Sequence, residues 1–212
     1  MKEPILVFGS GGQAKVTIDI LELRGSIKIA GMIDNTSESK GFMGYKILGG
    51  DDELSQLGLK SGVLAIGDNY IRSKVANKIL SIIPDFKFVN AIHPSAQICN
   101  NVEIGEGSMI MAGVCINSSA IIGSHCIINT NATIDHDDNI GNFVSLNPGV
   151  SLGGKVTIGA YSSIGLGSSV IHELSVGEHA IVGAGSVVVK DIPSNVIAYG
   201  NPCRVVRHHD IA

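Results

Sequence analysis

The second half of the chain carries an aliphatic side chain at every sixth position. Seventeen consecutive positions at this spacing are Ile, Leu or Val: Ile92, Ile98, Ile104, Ile110, Ile116, Ile122, Ile128, Ile134, Ile140, Leu146, Leu152, Ile158, Ile164, Val170, Val176, Val182 and Val188. A period of six matches neither the 3.6-residue α-helix nor the alternation of a plain strand. It predicts a coil with three short flat sides and about eighteen residues per turn, whose aliphatic side chains fill a narrow core between stacked turns.

The position four residues after each aliphatic residue is also restricted. With one exception, Asp138, it holds a small or apolar residue, as at Ala132, Val144 and Ser162. Gly often follows the aliphatic residue, as at Gly159, where a tight corner needs backbone angles that Gly adopts easily. The array predicts five to six coils with no long loop extruded from them.

The first half alternates between strand-like and helix-like segments. Apolar strands are predicted at residues 4–8, 27–33 and 62–66, and helical segments at 15–23 and 70–80. This alternation indicates a small parallel sheet.

A Gly-rich turn follows the first predicted strand. Gly9-x-Gly11-x-x-Ala14 has the form of the dinucleotide-binding fingerprint, and Asp34 lies where a ribose contact is expected. The glycines would let backbone N–H groups approach a phosphate at a helix N-terminus. The simpler alternative is a tight strand–helix turn without a ligand. NAD is disfavoured, because only one half of a dinucleotide fold fits before the repeats begin.

Composition narrows the class of protein. The chain has 212 residues, of which 44% are hydrophobic and 16% charged, enough apolar material for a sizeable core. A net charge of −4 does not favour nucleic acid or an anionic membrane surface as a partner. The four cysteines form no C-x-x-C pair, which argues against a zinc site and fits a reducing cytoplasm. No apolar stretch has the roughly 18 residues of a membrane-spanning helix.

Several motifs together resemble a known family. Hexads such as 158–163 and the closing segment 200–206 look like the transferase hexapeptide repeat, which is specific for fold but also occurs in carbonic anhydrases and assembly modules. With the Gly-rich turn, residues 65–69 and residues 134–137, the chain resembles the bacterial sugar O- and N-acyltransferases of the sialic acid O-acetyltransferase (NeuD) type. Among these it is most similar to the UDP-4-amino-sugar N-acetyltransferases (PglD-like).

The resemblance implies the fold and the activity. The fold would be a Rossmann-like α/β domain at 1–88, which binds a nucleotide-sugar, followed at 89–212 by a left-handed parallel β-helix of hexapeptide repeats. The activity would be transfer of an acetyl group from acetyl-CoA to the amine of a nucleotide-activated 4-amino sugar in bacterial glycan biosynthesis. The enzyme would be a cytoplasmic homotrimer with active sites between chains and no metal, nucleic-acid or membrane partner.

The resemblance also implies the binding residues. The nucleotide-sugar would contact Gly11, Gly12, Gln13, Asp34, Asn35 and Gly67, and Asn129 would contact the acceptor amine. Acetyl-CoA would lie along Ser145, Gly154, Leu166 and Gly185. The family usually has His where this chain has Gln13, and close relatives often have His where it has Ser145.

The segment Asp135-His136-Asp137-Asp138 departs from the pattern of its own coil, and such departures are expected at functional sites. By the resemblance His136 is the general base, and Asp137 raises its basicity. Acetyl transfer needs a base for the proton that leaves the nucleophile, and a His near ambient pKa suits that role. Gly153 or Gly154 could donate an N–H to the oxyanion, and the resemblance favours Gly154. The alternative for His136 is an exposed corner residue, and for Asp138 an outward-tipped or corner-bonded carboxylate.

Three other functions stay open at this point. The chain could O-acetylate sialic acid, serve as a non-catalytic assembly module, or be a carbonic anhydrase. The Gly-rich turn favours a nucleotide-linked acceptor, and the His136–Asp137 pair argues against an assembly module. No set of three His at coil spacing is evident for a carbonic anhydrase. His208 and His209 are expected in a mobile tail.

Overall fold

The computed structural model describes residues 4–210. The chain divides into two compact units, the first ending at Pro94 and the second beginning at Ser95.

The first unit is an α/β domain. Its elements are β1 (Pro4–Phe8), α1 (Gly12–Arg24), β2 (Lys28–Ile33), β3 (Gly41–Phe42), β4 (Tyr45–Lys46), a 3-10 helix (Asp51–Gln56), β5 (Ser61–Leu64), α2 (Asn69–Ile82), β6 (Lys87–Phe88) and β7 (Ala91–Ile92). The three predicted strands and both predicted helices are present. The short β3–β4 hairpin, the 3-10 helix and β6 were not predicted, because two-residue strands and single turns carry too few residues for a periodic pattern.

The sheet of this unit is parallel, in the order β2-β1-β5-β6. The central strand β1 is buried on both faces, which explains its unbroken apolar sequence. The chain passes from β1 to β2 on one side and then to β5 on the other, so the strand order reverses between β1 and β5. In open α/β sheets, ligands bind in the crevice at the carboxyl ends of the strands at such a point.

The second unit is a parallel β-helix whose strands are two residues long until the closing segment. They are β8 (Gln97–Ile98), β9 (Glu103–Ile104), β10 (Met109–Ile110), β11 (Cys115–Ile116), β12 (Ile121–Ile122), β13 (Ile127–Ile128), β14 (Thr133–Ile134), β15 (Asn139–Ile140), β16 (Ser145–Leu146), β17 (Ser151–Leu152), β18 (Thr157–Ile158), β19 (Ser163–Ile164), β20 (Ser169–Val170), β21 (Ser175–Val176), β22 (Ile181–Val182) and β23 (Val187–Val188).

The strands stack into three faces. Face 1 contains β10, β13, β16, β19 and β22, face 2 runs β8-β11-β14-β17-β20-β23, and face 3 runs β9-β12-β15-β18-β21. Most of the aliphatic residues pair with the one eighteen positions later, as in Ile110↔Ile128 and Leu146↔Ile164. Ile128, Leu146 and Ile164 are fully buried in the core. The predicted fold class, an α/β unit followed by a hexapeptide-repeat β-helix, is therefore confirmed.

The closing segment adds two longer strands to face 1. β24 (Val196–Tyr199) pairs parallel with β22, and β25 (Arg204–His208) folds back antiparallel on β24. The Nδ1 atom of His209 lies 2.8 Å from the carbonyl oxygen of His179. The expectation of a mobile tail at His208 and His209 was therefore wrong, because the closing hairpin continues the sheet to these residues. Among residues 4–210, neither helix is long and apolar enough to cross a bilayer.

Candidate active site

A cavity of about 520 Å³ lies in the first unit, at the carboxyl ends of β1, β2 and β5. Its walls are formed by Phe8, Gly9, Ser10, Gly11, Gly12, Gln13, Ile33, Asp34, Asn35, Thr36, Asp51, Ala65, Ile66, Gly67, Ile71 and Val75. All six residues that the resemblance assigned to the nucleotide-sugar line this cavity. The apolar residues of the wall come from the strand ends and from α2, and they offer a surface on which a base or sugar ring could pack.

The Gly-rich turn leaves room for an anion at the N-terminus of α1. Gly9 has φ +97°, and a side chain there would meet the Ala65 carbonyl oxygen at 3.1 Å, so this position requires Gly. Gly11 caps the helix without a side-chain hydrogen bond, and nothing lies within 4 Å of a Cβ built on Gly11 or Gly12. The first N–H groups of a helix have no partner within the helix, so a phosphate can accept from them here.

Asp34 ties the Gly-rich turn to the end of β2. One carboxylate oxygen accepts from the N–H and hydroxyl of Ser10 at 2.7 and 2.6 Å, and the other accepts from the N–H and hydroxyl of Thr36 at 2.8 and 2.7 Å. Burial acts to raise the pKa of Asp34, but these hydrogen bonds outweigh it and lower the pKa. Asp34 therefore shapes the cavity as well as lining it, and its predicted ribose contact stays a prediction.

Two residues, Asn35 and Arg72, make further hydrogen bonds that shape the cavity and were not predicted. The Asn35 side-chain oxygen accepts from the Asp51 N–H at 2.8 Å, which brings the start of the 3-10 helix to the wall. The fully buried Arg72 donates to the carbonyls of Ile66 and Gly67 at 2.9 and 3.0 Å and to Asn69 at 2.7 Å. These charge-assisted bonds fix the loop after β5, which carries Gly67.

In the second unit, His136 lies at the corner where the chain passes from face 2 to face 3. Its side chain is 56% exposed, and its Nδ1 atom lies 2.8 Å from a carboxylate oxygen of Asp137. Because an ionised carboxylate only accepts hydrogen bonds, Nδ1 carries the proton and the neutral ring has its lone pair on Nε2. The hydrogen bond that Nδ1 donates to Asp137 raises the pKa of His136, against a smaller opposing effect of desolvation. The pair is therefore arranged so that Nε2 of His136 can act as a base while Asp137 accepts the hydrogen bond from Nδ1.

Gly154, which belongs to the coil after that of His136, lies against the His136 imidazole. A Cβ built on Gly154 would be 2.6 Å from Nε2 and 2.7 Å from Cε1 of His136, so the ring occupies the space that any side chain here would need. The carbonyl oxygen of His136 also accepts from the Lys155 N–H at 2.9 Å, which joins the two corners. The backbone of Gly154 therefore borders the basic nitrogen.

Two polar residues, Asn117 and Asp135, hold the His136 turn through hydrogen bonds. Asn117, one coil earlier, donates to the Asp135 carboxylate at 2.8 Å, and the same carboxylate oxygen accepts the His136 N–H at 2.7 Å. The hydrogen bond from Asn117, followed by that from the His136 N–H, lowers the pKa of Asp135. Sequence reasoning missed both roles, although the eighteen-residue spacing of Asn117 and Asp135 places them in register on one corner.

Asp138 points into the core. Of the two alternatives for this residue, the outward-tipped carboxylate was wrong, and the carboxylate hydrogen-bonded to its corner is confirmed. Its side chain is only 1% exposed and accepts from the N–H groups of Asp135 at 2.9 Å and Val156 at 2.8 Å. Burial raises the pKa of Asp138 to about 6, against the effect of these two hydrogen bonds.

The remaining predicted residues lie elsewhere on the solenoid. Asn129, Leu166 and Gly185 are on the corner between faces 1 and 2, and Ser145 is a buried residue of face 1. Leu166 is 57% exposed, and the space around Gly185 is open. Of the four residues assigned to acetyl-CoA, only Gly154 shares the corner of His136 within the described chain. In residues 4–210, no group of three His, Cys, Asp or Glu is placed to hold a metal ion.

The two units together define a class of protein: a hexapeptide-repeat solenoid with a His–carboxylate pair at one corner, preceded by an α/β unit with an anion-accepting cavity. Two family models match, the PglD N-terminal domain over residues 4–79 and the bacterial transferase hexapeptide (six repeats) over residues 101–136. PerB from Caulobacter crescentus, solved in complex with CoA and GDP-perosamine, is 39% identical, with a TM-score of 0.90 over 96% of this chain and 97% of that one. The chain belongs to the hexapeptide-repeat sugar acyltransferases with a PglD-type N-terminal domain.

Two further proteins are similar. The acetyltransferase domain of PglB from Neisseria gonorrhoeae, solved in complex with acetyl coenzyme A, is 30% identical, with a TM-score of 0.89 over 97% of this chain and all of that one. UDP-N-acetylbacillosamine N-acetyltransferase from Bacillus subtilis is 38% identical over 114 residues. That match covers 51% of either sequence, so the chain spans about half the length of this curated relative.

Proposed function

We propose that the protein transfers the acetyl group of acetyl-CoA to the amine of a nucleotide-activated 4-amino sugar, in bacterial glycan biosynthesis. The observation that carries the proposal is the His136 imidazole, held through Nδ1 by Asp137 and bordered at Nε2 by Gly154. Similarity to a protein solved with CoA and GDP-perosamine supports the class of both substrates. The four free cysteines are consistent with a reducing compartment, and we place the reaction in the cytoplasm.

The proposed reaction is a direct attack without an acyl-enzyme. The neutral amine of the sugar attacks the thioester carbonyl carbon, and a C–N bond forms as Nε2 of His136 takes a proton from the nitrogen. The carbonyl oxygen becomes an oxyanion, for which the N–H of Gly154 is the proposed donor. When the tetrahedral intermediate collapses, the C–S bond breaks and the imidazolium returns the proton to the sulfur, which leaves as CoA thiol.

The raised pKa of His136 suits this sequence of steps. Asp137 stabilises the imidazolium that forms when the amine loses its proton, so proton transfer becomes more favourable. Half of the imidazole surface is open, so an acceptor can reach Nε2.

We place the nucleotide-sugar in the cavity of the first unit. The diphosphate would accept from the N–H groups at Gly11, Gly12 and Gln13, and the nucleoside would lie toward Asp34 and Asn35. Gly67 would border the sugar, and Asn129 would contact its amine. The amide of Gln13 can donate and accept a hydrogen bond, which allows it to stand where the family usually has His.

We place acetyl-CoA in a groove between neighbouring chains of a homotrimer. Leu166 and Gly185 share a corner that differs from the corner of His136 and Gly154. A groove lined by both corners is therefore most simply built from two chains, with Ser145 contributing less because it is buried.

The test is release of CoA thiol from acetyl-CoA with a panel of UDP-, dTDP- and GDP-linked 4-amino sugars and free sialic acid. We expect release with one amino sugar, and a roughly 10²–10⁴-fold loss of kcat in His136→Ala. Release only with sialic acid would establish O-acetylation instead. No release with any acceptor, while acetyl-CoA still binds, would favour an assembly module.

A second variant separates the two substrate sites. Gly11→Trp places an indole in the open space at the α1 N-terminus and should abolish nucleotide-sugar binding while acetyl-CoA binding persists. Calorimetric titration with each ligand measures both. Unchanged nucleotide-sugar binding would remove the substrate from this cavity.

A further inference from the structure

The backbone ladder between coils is interrupted at the His136 corner. In the other coils of this corner, the N–H after the inward aliphatic residue donates to a carbonyl of the next coil: Cys99 to Ile116 at 2.9 Å, Asn117 to Ile134 at 2.9 Å, Gly153 to Val170 at 2.9 Å and Ile171 to Val188 at 3.1 Å. The Asp135 N–H donates instead to the Asp138 carboxylate at 2.9 Å. Strands β14 and β17 pair only through Thr133↔Ser151, where neighbouring strands of this face pair through two residues.

Serines elsewhere in the solenoid occupy the position of Asp138, the fourth residue after an inward aliphatic residue. They make only one of the two hydrogen bonds that the Asp138 carboxylate accepts. Ser108, Ser162 and Ser168 each accept from the N–H eighteen residues later, at 3.0–3.1 Å, and donate to a glycine carbonyl of the next coil. One oxygen of Asp138 makes the equivalent bond, from the Val156 N–H at 2.8 Å. The second oxygen reaches back three residues to Asp135, which these serine hydroxyls do not do.

The two bonds of Asp138 connect the two sides of the candidate site. Asp135 is the residue before His136 and holds the His136 N–H through its carboxylate. Val156 lies two residues after Gly154, whose backbone borders the imidazole. The buried Asp138 side chain is therefore hydrogen-bonded both to the turn that carries His136 and to the segment that follows Gly154.

We propose that Asp138 is a positioning residue, which withdraws the Asp135 N–H from the inter-coil ladder and so fixes the His136 imidazole relative to Gly154. The assignment rests on the proposed function, in which His136 is the base. Asp138 itself is buried and does not reach the substrate.

The choice of residue supports a role beyond packing. A serine occupies the equivalent position at four other places in the solenoid without a buried charge, and Ala or Val occupies most of the rest. The charged groups nearest Asp138 are Asp135 and His136, and burial outweighs the favourable effect of His136 on its ionisation. Burial of a carboxylate costs free energy, so a buried Asp at a single position of the solenoid is expected where the local conformation serves function.

The test replaces Asp138 by the residue that the solenoid uses elsewhere. Asp138→Ser keeps an acceptor for the Val156 N–H but cannot reach Asp135, so the Asp135 N–H should rejoin the ladder. We expect kcat to fall by up to about 10²-fold, with KM for both substrates within about twofold, because the base is misplaced rather than removed. The Tm should be unchanged or higher, and the imidazole NMR signals of His136 should shift.

Two other variants complete the design. Ser162→Ala removes the equivalent hydrogen bonds at another coil and should leave kcat and the His136 signals unchanged. Asp138→Asn keeps the side-chain shape but has only one oxygen to accept from two N–H groups, so it should reproduce the loss of kcat and the shift of the His136 signals.

The outcomes are distinguishable. Unmoved His136 signals with wild-type kcat, or a loss of kcat that only parallels a fall in Tm, would overturn the positioning role. If the wild-type protein transfers no acetyl group, the NMR comparison still decides the proposal: shifted His136 signals would support Asp138 as the residue that positions the imidazole, while the proposed function would be lost.

Discussion

At the scale of single residues, the chemistry of the candidate site depends on the bond between Asp137 and His136. A His that donates from Nδ1 to a carboxylate is a stronger base at Nε2 than an isolated imidazole. Asp135 adds to this effect, and Lys155 of the next coil opposes it. The basicity of His136 is therefore set within its own turn and the coil beside it.

Asp137→Asn should weaken the base without removing it. The amide is a poorer acceptor, so the pKa of His136 should fall toward its ordinary value of about 6.5. Because only neutral His136 accepts a proton, the acidic limb of kcat/KM should move to lower pH, and the plateau rate should fall by less than in His136→Ala. A pH–rate profile from about pH 5.5 to 8.5 measures both. An acidic limb that stays in place would show that Asp137 does not control the base.

The buried Asp138 should make the stability of the protein depend on pH in a defined direction. Its folded-state pKa of about 6 lies above its ordinary value of 3.8, so the folded protein holds this proton more tightly than the unfolded chain. The resulting stability is present below pH 3.8 and is lost as pH rises through about 6. The shift corresponds to up to about 3 kcal/mol.

Asp138→Ser removes this titration. The free energy of unfolding of the variant relative to wild type should therefore grow by up to about 3 kcal/mol between about pH 4 and pH 7. Urea unfolding of both proteins at these two pH values measures the change, with Ser162→Ala as the control whose difference from wild type stays constant. A change of opposite sign would mean that folding lowers the pKa of Asp138.

At the scale of elements, the site is formed by two stacked corners rather than by one turn. Position 154 is the second residue after an inward aliphatic residue, and the equivalent position at the other two corners holds Ala at 112, 160 and 184. The coil backbone therefore accepts a Cβ at this position. What forbids one at Gly154 is the imidazole of His136, 2.6 Å from where the Cβ would be.

Gly154→Ala should therefore leave the fold intact and displace the base. We expect the Tm to change little and kcat to fall on the order of 10²-fold, since a shift of about 1 Å in a catalytic group has that effect. Steady-state kinetics and thermal unfolding measure the two quantities. Full activity in Gly154→Ala would mean that the imidazole has room to move and that its contact with Gly154 is not part of the site.

The periodic pattern of the chain predicted most of the fold and part of the site. The six-residue repeat predicted the coils, because all seventeen of its aliphatic positions obey it, and the strand–helix alternation predicted the first sheet. The roles of Asn117 and Arg72 depend on hydrogen bonds that form only in the folded chain, so no local sequence pattern predicted them. Asp138 stood out in the sequence, but the direction of its side chain depends on two N–H groups, one of them a full coil later.

A column of stacked rings is another feature that the sequence pattern alone did not predict. His125, Phe143, Tyr161 and His179 stack at the corner between faces 3 and 1, with ring centroids 4.7–5.2 Å apart. All four have positive φ, where Gly would be the default residue. Their eighteen-residue spacing is visible in the sequence. Only the folded coils show that the stacking of the rings can offset the backbone strain of each corner.

At the scale of the whole molecule, the chain places its candidate functions in separate units. The cavity at the α1 N-terminus belongs entirely to the first unit, and the His136 corner belongs entirely to the second. Within the solenoid, three of the residues assigned to acetyl-CoA, Gly154, Leu166 and Gly185, lie on two corners separated by face 2, and Ser145 lies within face 1. A single chain therefore carries the base and the exposed Leu166 on different edges, and two chains in a closed ring could bring one of each together.

This arrangement predicts complementation between two inactive variants. His136→Ala removes the base, and Leu166→Asp places a negative charge where the anionic CoA would lie; each alone should be nearly inactive. In co-expressed, randomly mixed assemblies of the proposed homotrimer, a site is complete wherever an intact His136 faces an intact Leu166, so about a quarter of wild-type activity should return. Thiol release by the purified mixture, compared with the two variants purified separately, measures the recovery. No recovery in trimers that contain both chains would place both halves of the site in one chain.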